Sequence, residues 1–189
     1  MKKRILLTCM LAVIITGCSG TQYRDAAEDK GSREWGAREI KTTVNKMVAS
    51  LYQNLKDSGS NAFIEVKKIR NKTGDHNIDT KMLSDEIVTQ LLQKGITFID
   101  RTYSEEAIKE MGKGMTGLID PETAIPTGGL VSPNFYLYGE IRENLQFPRG
   151  KQKQYIVVTL TLTSLKTGVV KWQDQQNFFK ISNTIRTSE

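Results

Sequence analysis

The spacing of apolar residues predicts helices in the first part of the chain. Over residues 38–57, apolar side chains recur at helical spacing, at Ile40, Val44, Met47, Val48, Leu51 and Leu55. This period places them on one face of a helix, which the Ser58-Gly59-Ser60 run ends. A second helix is predicted to start at Thr80, as its N-cap, and to end before Gly95, with an apolar face at Leu83, Ile87, Leu91 and Leu92. A third covers residues 104–113.

Two short apolar runs between these helices predict strands. The first covers residues 62–69 and the second residues 96–99. A turn-rich loop is predicted at residues 71–75, directly after the first strand. Because a helix separates the two runs, we expect the strands to be parallel and joined by a right-handed crossover.

Three longer strands are predicted after a loop rich in Gly, Pro and Thr at residues 114–133. They cover residues 135–145, 155–165 and 169–179, and period-two alternation is clearest in the middle one. The short connections between them indicate an antiparallel meander. The whole pattern predicts a single α/β domain, with about three helices and a mixed sheet of about five strands. The sheet combines a parallel βαβ part with a C-terminal antiparallel meander.

Residues 1–17 have the layout of a secretory signal peptide. Basic residues at positions 2–4 precede an apolar run over residues 5–15, which is shorter than the roughly 20 residues needed to span a bilayer. The run leads into Ile15-Thr16-Gly17-Cys18, which resembles a bacterial lipobox. The resemblance implies cleavage before Cys18 and acylation of that cysteine with diacylglycerol and a further fatty acid such as palmitate. An ordinary signal peptide cut elsewhere is the alternative.

These features divide the chain into three parts. Residues 1–17 are the expected signal peptide, 18–36 the lipidated cysteine and a polar, flexible tether, and 37–189 the globular α/β domain. The signal peptide carries three of the 27 Lys and Arg residues and none of the 21 Asp and Glu residues. The remaining 24 basic and 21 acidic residues give a net charge of +3. This weak charge, together with export, argues against nucleic acid as a partner.

The sequence contains no set of residues typical of a catalytic or metal site. Its only histidine, His76, follows Asp75 in a polar loop, and we interpret this segment as solvated rather than as a weak cation site. The two cysteines are Cys9, in the signal peptide, and Cys18, which the lipid would occupy. We therefore expect a protein that is not an enzyme and that needs no cofactor or metal.

Exposed aromatic and basic residues are the candidate binding features. Tyr136 and Tyr138 lie two apart on one predicted strand, so both point away from the face of Phe135 and Leu137. Tyrosine is enriched in binding hot spots, although a role as core or edge filler is the alternative. A basic hairpin tip is predicted at residues 148–153, with a solvated turn as the alternative. The candidate partner contacts are Tyr136, Tyr138, Arg142, Arg149, Lys151 and Lys153.

A series of motifs in order resembles the LpoB family of outer-membrane lipoproteins. The motifs are Ile69-Arg70-Asn71-Lys72-Thr73, Ile78-Asp79-Thr80, Phe98-Ile99-Asp100-Arg101, Gly117-Leu118-Ile119-Asp120-Pro121, Asn134-Phe135-Tyr136-Leu137-Tyr138-Gly139 and Val170-Lys171-Trp172. They span about residues 62–181. The first and third motifs resemble lipoproteins of curli secretion and flagellar function as well. The fourth and fifth, followed by the tryptophan strand, are more specific.

The resemblance implies a non-catalytic activator of a bifunctional, class A penicillin-binding protein. Such a protein is anchored by lipid to the periplasmic face of the outer membrane, binds a small non-catalytic domain of the synthase, and raises peptidoglycan synthesis. It thereby affects cell wall and cell shape. Ser19, rather than Asp, after Cys18 fits outer-membrane sorting. The tether is short and proline-free, unlike the long proline-rich tethers of known members. We expect a monomer, and a structural or assembly lipoprotein of the curli-secretion or flagellar type is the alternative.

Overall fold

A computed structural model describes residues 35–59 and 61–183, which form three α-helices and a mixed six-stranded sheet. The helices are α1 (Ala37–Asp57), α2 (Thr80–Gln93) and α3 (Arg101–Gly114). The strands are β1 (Phe63–Val66), β2 (Arg70–Lys72), β3 (Thr97–Phe98), β4 (Phe135–Gln146), β5 (Lys151–Ser164) and β6 (Val170–Asn183). The predicted α/β class is confirmed. The predictions for the signal peptide, for Cys18 and for nearly all of the tether concern residues outside the described ranges.

The sheet joins a short parallel part to a long antiparallel part. Its order is β3-β1-β4-β5-β6, and β2 pairs with β4 beyond the end of β1. β1 lies parallel to β3, as the strand–helix–strand pattern predicts, and on its other side it also lies parallel to β4. β4, β5 and β6 form the predicted antiparallel meander. The parallel strands are two to four residues long, whereas the meander strands have 12 to 14.

The core lies between α1, α2 and one face of the sheet. The apolar stripe of α1 is buried as predicted, and so are Leu83, Ile87 and Leu91 of α2. The sheet contributes Ile64, Leu137, Ile141, Ile156, Val158, Leu160, Leu162 and Trp172. The indole Nε1 of Trp172 donates to Ser50 Oγ at 3.0 Å, which ties β6 to α1. The Trp172 side chain is therefore a core residue, as its apolar neighbours predict.

The structure corrects the N-terminal ends of two helices. Asp79, and not Thr80, caps α2, because its carboxylate accepts a hydrogen bond from the Met82 amide at 2.9 Å. Likewise, α3 begins at Arg101 rather than at Ser104, because the Asp100 carboxylate accepts from the Thr102 amide at 2.9 Å. In both places an aspartate one or more residues earlier supplies the cap.

The structure also corrects the prediction for Leu92. Its side chain is 53% exposed, although we expected it on the apolar face of α2. Leu83, Ile87 and Leu91 follow one another at intervals of four, which is enough to face the core. The next residue is rotated by about 100° around the helix and therefore leaves that face.

Two strand predictions change as well. Residues 70–72 form β2 where we expected a loop from residue 71, because parallel pairing to β4 places Asn71 opposite Ile141. β5 begins at Lys151 rather than at Tyr155. The connection between β4 and β5 is therefore only a short 3-10 turn at Pro148–Gly150 with one residue before it, and residues 151–153 of the predicted hairpin tip belong to β5.

Candidate functional site

The face of the sheet that points away from α1, here called the outer face, carries the predicted tyrosines. Phe135 and Leu137 are buried against the core, and Tyr136 and Tyr138 on the alternate positions are half-buried on the outer face. The Tyr138 hydroxyl lies 3.3 Å from Thr163 Oγ1 on β5. The structure thus places both tyrosines on one face, as the period of two requires.

Lys67 holds the ring of Tyr136. Its ammonium nitrogen lies 4.1 Å from the ring centroid, which is the geometry of a cation–π interaction. The same ammonium donates a hydrogen bond to Glu65, which is 4% exposed and lies beside Tyr136 in the sheet. The hydrogen bond to Glu65 is the main reason that the pKa of Lys67 is raised above 10.5. Lys67 therefore stays charged over the physiological range, and Tyr136 presents a restrained ring.

Arg142 lies further along the outer face and pairs with an acid. Its guanidinium donates to Glu140, and the Arg70 Nη2 atom lies 3.4 Å from the same carboxylate. The hydrogen bond from Arg142 is the main reason that the pKa of the Glu140 carboxyl is lowered. Together with Tyr138, these side chains border a shallow polar depression of about 410 Å³. Because Arg70 and Arg142 carry two positive charges and Glu140 only one negative charge, this group has a net positive charge.

The predicted basic residues near the hairpin form a separate group. Arg149 lies in the 3-10 turn, and Lys151 and Lys153 lie on β5. Lys153 pairs with Gln146, ten residues along β4 from Tyr136. At about 3.3 Å per residue, the two ends of the outer face are roughly 33 Å apart. The six predicted contact residues therefore do not form one cluster, and Arg142 lies between the tyrosines and the hairpin.

Exposed apolar residues accompany the hairpin group, and the sequence analysis missed them. Phe179 is 61% exposed and pairs directly with Tyr155, and Ile181 is 56% exposed and pairs with Lys153. All four side chains lie on the outer face. The alternation of β6 contained this signal, because Gln175, Asn177, Phe179 and Ile181 are two apart. The predicted strand ends at residue 179, whereas β6 continues to Asn183 and includes Ile181.

The loop that contains His76 is organised by hydrogen bonds within the loop. The Asn71 side chain accepts from the Thr73 amide at 2.9 Å and donates to the Asp75 carbonyl at 2.7 Å. His76 itself is exposed. Within residues 35–59 and 61–183, no group of three or more His, Cys, Asp or Glu side chains is placed to hold a metal ion. No helix in the described part of the chain is long and apolar enough to cross a membrane.

Several solved structures resemble the chain. The C-terminal domain of LpoB from Escherichia coli is 14% identical with a TM-score of 0.46, and the match covers 74% of this chain and 98% of that domain. The same domain from Salmonella enterica is 14% identical with a TM-score of 0.42, over 74% and 94%. Lipoprotein GNA1162 from Neisseria meningitidis is 18% identical with a TM-score of 0.41, over 67% and 88%.

Sequence comparison identifies the family. A search of curated proteins finds no match. The family model described as peptidoglycan-synthase activator LpoB matches residues 39–178, from the first turn of α1 to the middle of β6. This match covers more than half of the 189 residues and confirms the resemblance that the order of motifs indicates. The chain therefore belongs to the LpoB family of peptidoglycan-synthase activators.

Proposed function

We propose that this protein is a non-catalytic outer-membrane lipoprotein that binds and stimulates a class A penicillin-binding protein. The observation that carries the proposal is the family match over residues 39–178. The family is one of activators, so the chemistry belongs to the synthase and this chain supplies binding. The signal-like residues 1–17 and the lipobox ending at Cys18 support export and lipid anchoring.

The anchor sets where the domain works. With Cys18 lipidated at the periplasmic face of the outer membrane, residues 19–36 form the link to the domain at 37–189. A fully extended segment of that length reaches about 60 Å, which limits how far the domain extends from the membrane. The binding site on the synthase must therefore lie within reach of a domain held on a tether of that length. One tethered monomer is sufficient for this contact.

The outer face around Tyr136 and Tyr138 is the part of the surface best suited to a partner. Both rings lie on a long paired strand, and contacts with Lys67 and Thr163 restrain them before any partner arrives. Restrained aromatic groups lose little conformational entropy on binding. Arg142 adds positive charge on the same face. The hairpin group, with Arg149, Lys151 and Lys153, lies far from the tyrosines. It is therefore a second contact area only if the partner is large enough to reach both.

Activation requires no group transfer by this chain. A protein that binds the active conformation of a synthase more tightly than the inactive one shifts the population toward the active form. The size of the effect equals the difference between the two binding free energies. Glycan polymerisation and cross-linking then rise together.

The test measures glycan-chain synthesis by the cognate class A synthase with increasing amounts of the chain from Ser19 onward. That chain contains every core residue, since the core lies between Ile40 and Trp172. We expect acceleration that saturates with dose. Tyr136→Ala should weaken binding by about thirtyfold, the size of a hot-spot loss of about 2 kcal/mol.

Tyr103→Ala is the matched control, because it removes an exposed tyrosine on α3 that is not among the predicted contact residues. We expect its dose–response curve to match that of the unaltered chain. If the unaltered chain neither binds the synthase nor accelerates it, the proposal is wrong for that synthase. The assembly-lipoprotein alternative would then be tested by co-purification with basal-body or secretion components.

A further inference from the structure

A cleft of about 670 Å³ opens at the carboxyl ends of β1 and β3. The starts of α2 and α3 complete its border, and apolar side chains form much of its wall, including Val66, Val88, Leu92 and Phe98. The exposed Leu92 side chain thus forms part of this wall. In open α/β sheets, ligands bind in crevices at the carboxyl ends of parallel strands. The location and the lining both suit a small ligand.

Glu65 supplies a buried acceptor at the inner end of this cleft. Its side chain lines the cleft and is 4% exposed. One carboxylate oxygen accepts a hydrogen bond from Lys67, and the other is buried with no hydrogen-bond partner among the described residues. A buried acceptor without a partner costs free energy, so a ligand that donates an N–H group to this oxygen would recover it.

Lys68 and Arg101 supply positive charge at the mouth of the cleft. Lys68 is exposed and forms no ion pair within the described residues. Arg101 lies 3.9 Å from the Glu105 carboxylate, which is too long for a hydrogen bond. Of the other two lining cations, Lys67 is bonded to Glu65 and Lys81 to Asp85. The Lys68 ammonium can therefore bind a ligand carboxylate, and so can the Arg101 guanidinium, whose contact with Glu105 is a long ion pair between exposed side chains.

These groups together specify the chemistry of the ligand. The negative charge of Glu65 would repel a simple anion, and the positive charges of Lys67, Lys68 and Arg101 would repel a simple amine. We propose that the cleft binds a short peptide whose free ammonium group bonds to Glu65 and whose carboxylate bonds to Lys68 and Arg101. Its apolar parts contact the Val88 and Leu92 wall. The narrower identification of this ligand as a peptidoglycan stem peptide rests on the function proposed above.

Lys67 connects this cleft to the tyrosines of the outer face. Its ammonium contacts both the Glu65 carboxylate and the Tyr136 ring. A ligand ammonium bound to Glu65 partly neutralises the carboxylate and so weakens the hydrogen bond between Lys67 and Glu65. Occupancy of the cleft therefore changes the surroundings of the Tyr136 ring.

The probe is a soluble stem tetrapeptide with its amines and carboxylates free, titrated into the isotope-labelled chain from Ser19 onward and followed by NMR. We expect saturable shifts at Glu65, Ser84 and Arg101, with a further shift at Tyr136. Acetylation of the peptide amines should weaken binding by about tenfold or more, because it removes the charge-assisted hydrogen bond to Glu65. Amidation of the carboxylates should weaken it similarly.

Three variants separate the site from the rest of the surface. Glu65→Gln and Lys68→Met should each weaken binding by about tenfold, while Lys46→Met, an exposed residue of α1, should leave it unchanged. If Glu65→Gln does not fold, Lys68→Met and the blocked peptides still test the site. Absence of saturable shifts, or equal binding of the acetylated peptide, overturns the proposal. No synthase is present, so failure here leaves the activator proposal intact, and failure of activation leaves this result intact.

Discussion

The meander and the α3 region are stabilised to very different degrees. β4 and β5 pair over 12 residues and β5 and β6 over 13, and one face of this ladder contributes eight side chains to the core. In contrast, α3 buries none of its side chains, and Leu118 in the loop that follows is 89% exposed. Apolar residues are present in both regions. The mere presence of apolar residues therefore does not make a core, and in the meander it is their alternation on paired strands that places them on one buried face.

The largest expected difference between the two regions is in core truncation. Leu137→Ala removes a fully buried side chain from the centre of β4 and leaves a cavity against the α1 face. We expect the free energy of unfolding to fall by about 2–5 kcal/mol, measured by urea denaturation. Leu118→Ala is the matched control and should change it by less than about 0.5 kcal/mol. Equal effects would show that the loop after α3 is part of the core.

Glycine substitutions should have opposite signs in the two regions. A Cβ at Gly139 would lie 2.3 Å from the Thr159 carbonyl oxygen, so β4 and β5 would have to separate locally. We expect Gly139→Ala to lower the free energy of unfolding by about 1–3 kcal/mol.

A Cβ at Gly112, on α3, meets nothing within 4 Å. Gly112→Ala should therefore raise helix stability by up to about 1 kcal/mol. The melting temperatures of the two variants, measured side by side by circular dichroism, check both signs. A loss of stability in Gly112→Ala would show that α3 is more tightly packed than its exposure indicates.

The smallest expected effect concerns the ion pair that joins the two core helices. Lys41 Nζ lies 2.7 Å from the Glu86 carboxylate, and this hydrogen bond is the main reason that the pKa of Glu86 is lowered from 4.5. A lowered folded-state pKa stabilises the protein above pH 4.5, and the contribution is lost as the pH falls below that value. Because both side chains are partly exposed, it should be below about 1 kcal/mol.

Lys41→Met should remove this part of the pH dependence. We expect the urea midpoints of the variant and the unaltered chain to differ at pH 7 and to converge near pH 3. Lys113→Met, which removes an exposed ion pair of α3 with Glu110, should leave the pH dependence unchanged. A difference that persists at pH 3 would mean that the Lys41 stem, and not its charge, stabilises the contact between α1 and α2.

Local periodicity was enough to predict much of the fold, but it predicted little of the candidate site. The stripe of α1 and the alternation of β5 predicted which side chains face the core, because a helix and a strand each have a fixed repeat. The same repeat placed Tyr136 and Tyr138 on one face. Whether that face binds a synthase stays a prediction, as does the role of Arg142 and the hairpin residues.

Periodicity along the chain was enough to predict α1, the meander and the side of the sheet that carries the tyrosines. Contacts between distant residues decided the rest. The β2 strand exists because Asn71 lies beside Ile141 in a parallel register, and the cleft exists because the parallel strands β1 and β3 have their carboxyl ends at the same edge of the sheet. The burial of Glu65 and its link through Lys67 to Tyr136 likewise need two strands side by side. The helical or strand repeat determines which face of its element a residue occupies. The residue that lies opposite it is determined only by pairing between segments that are distant in the sequence.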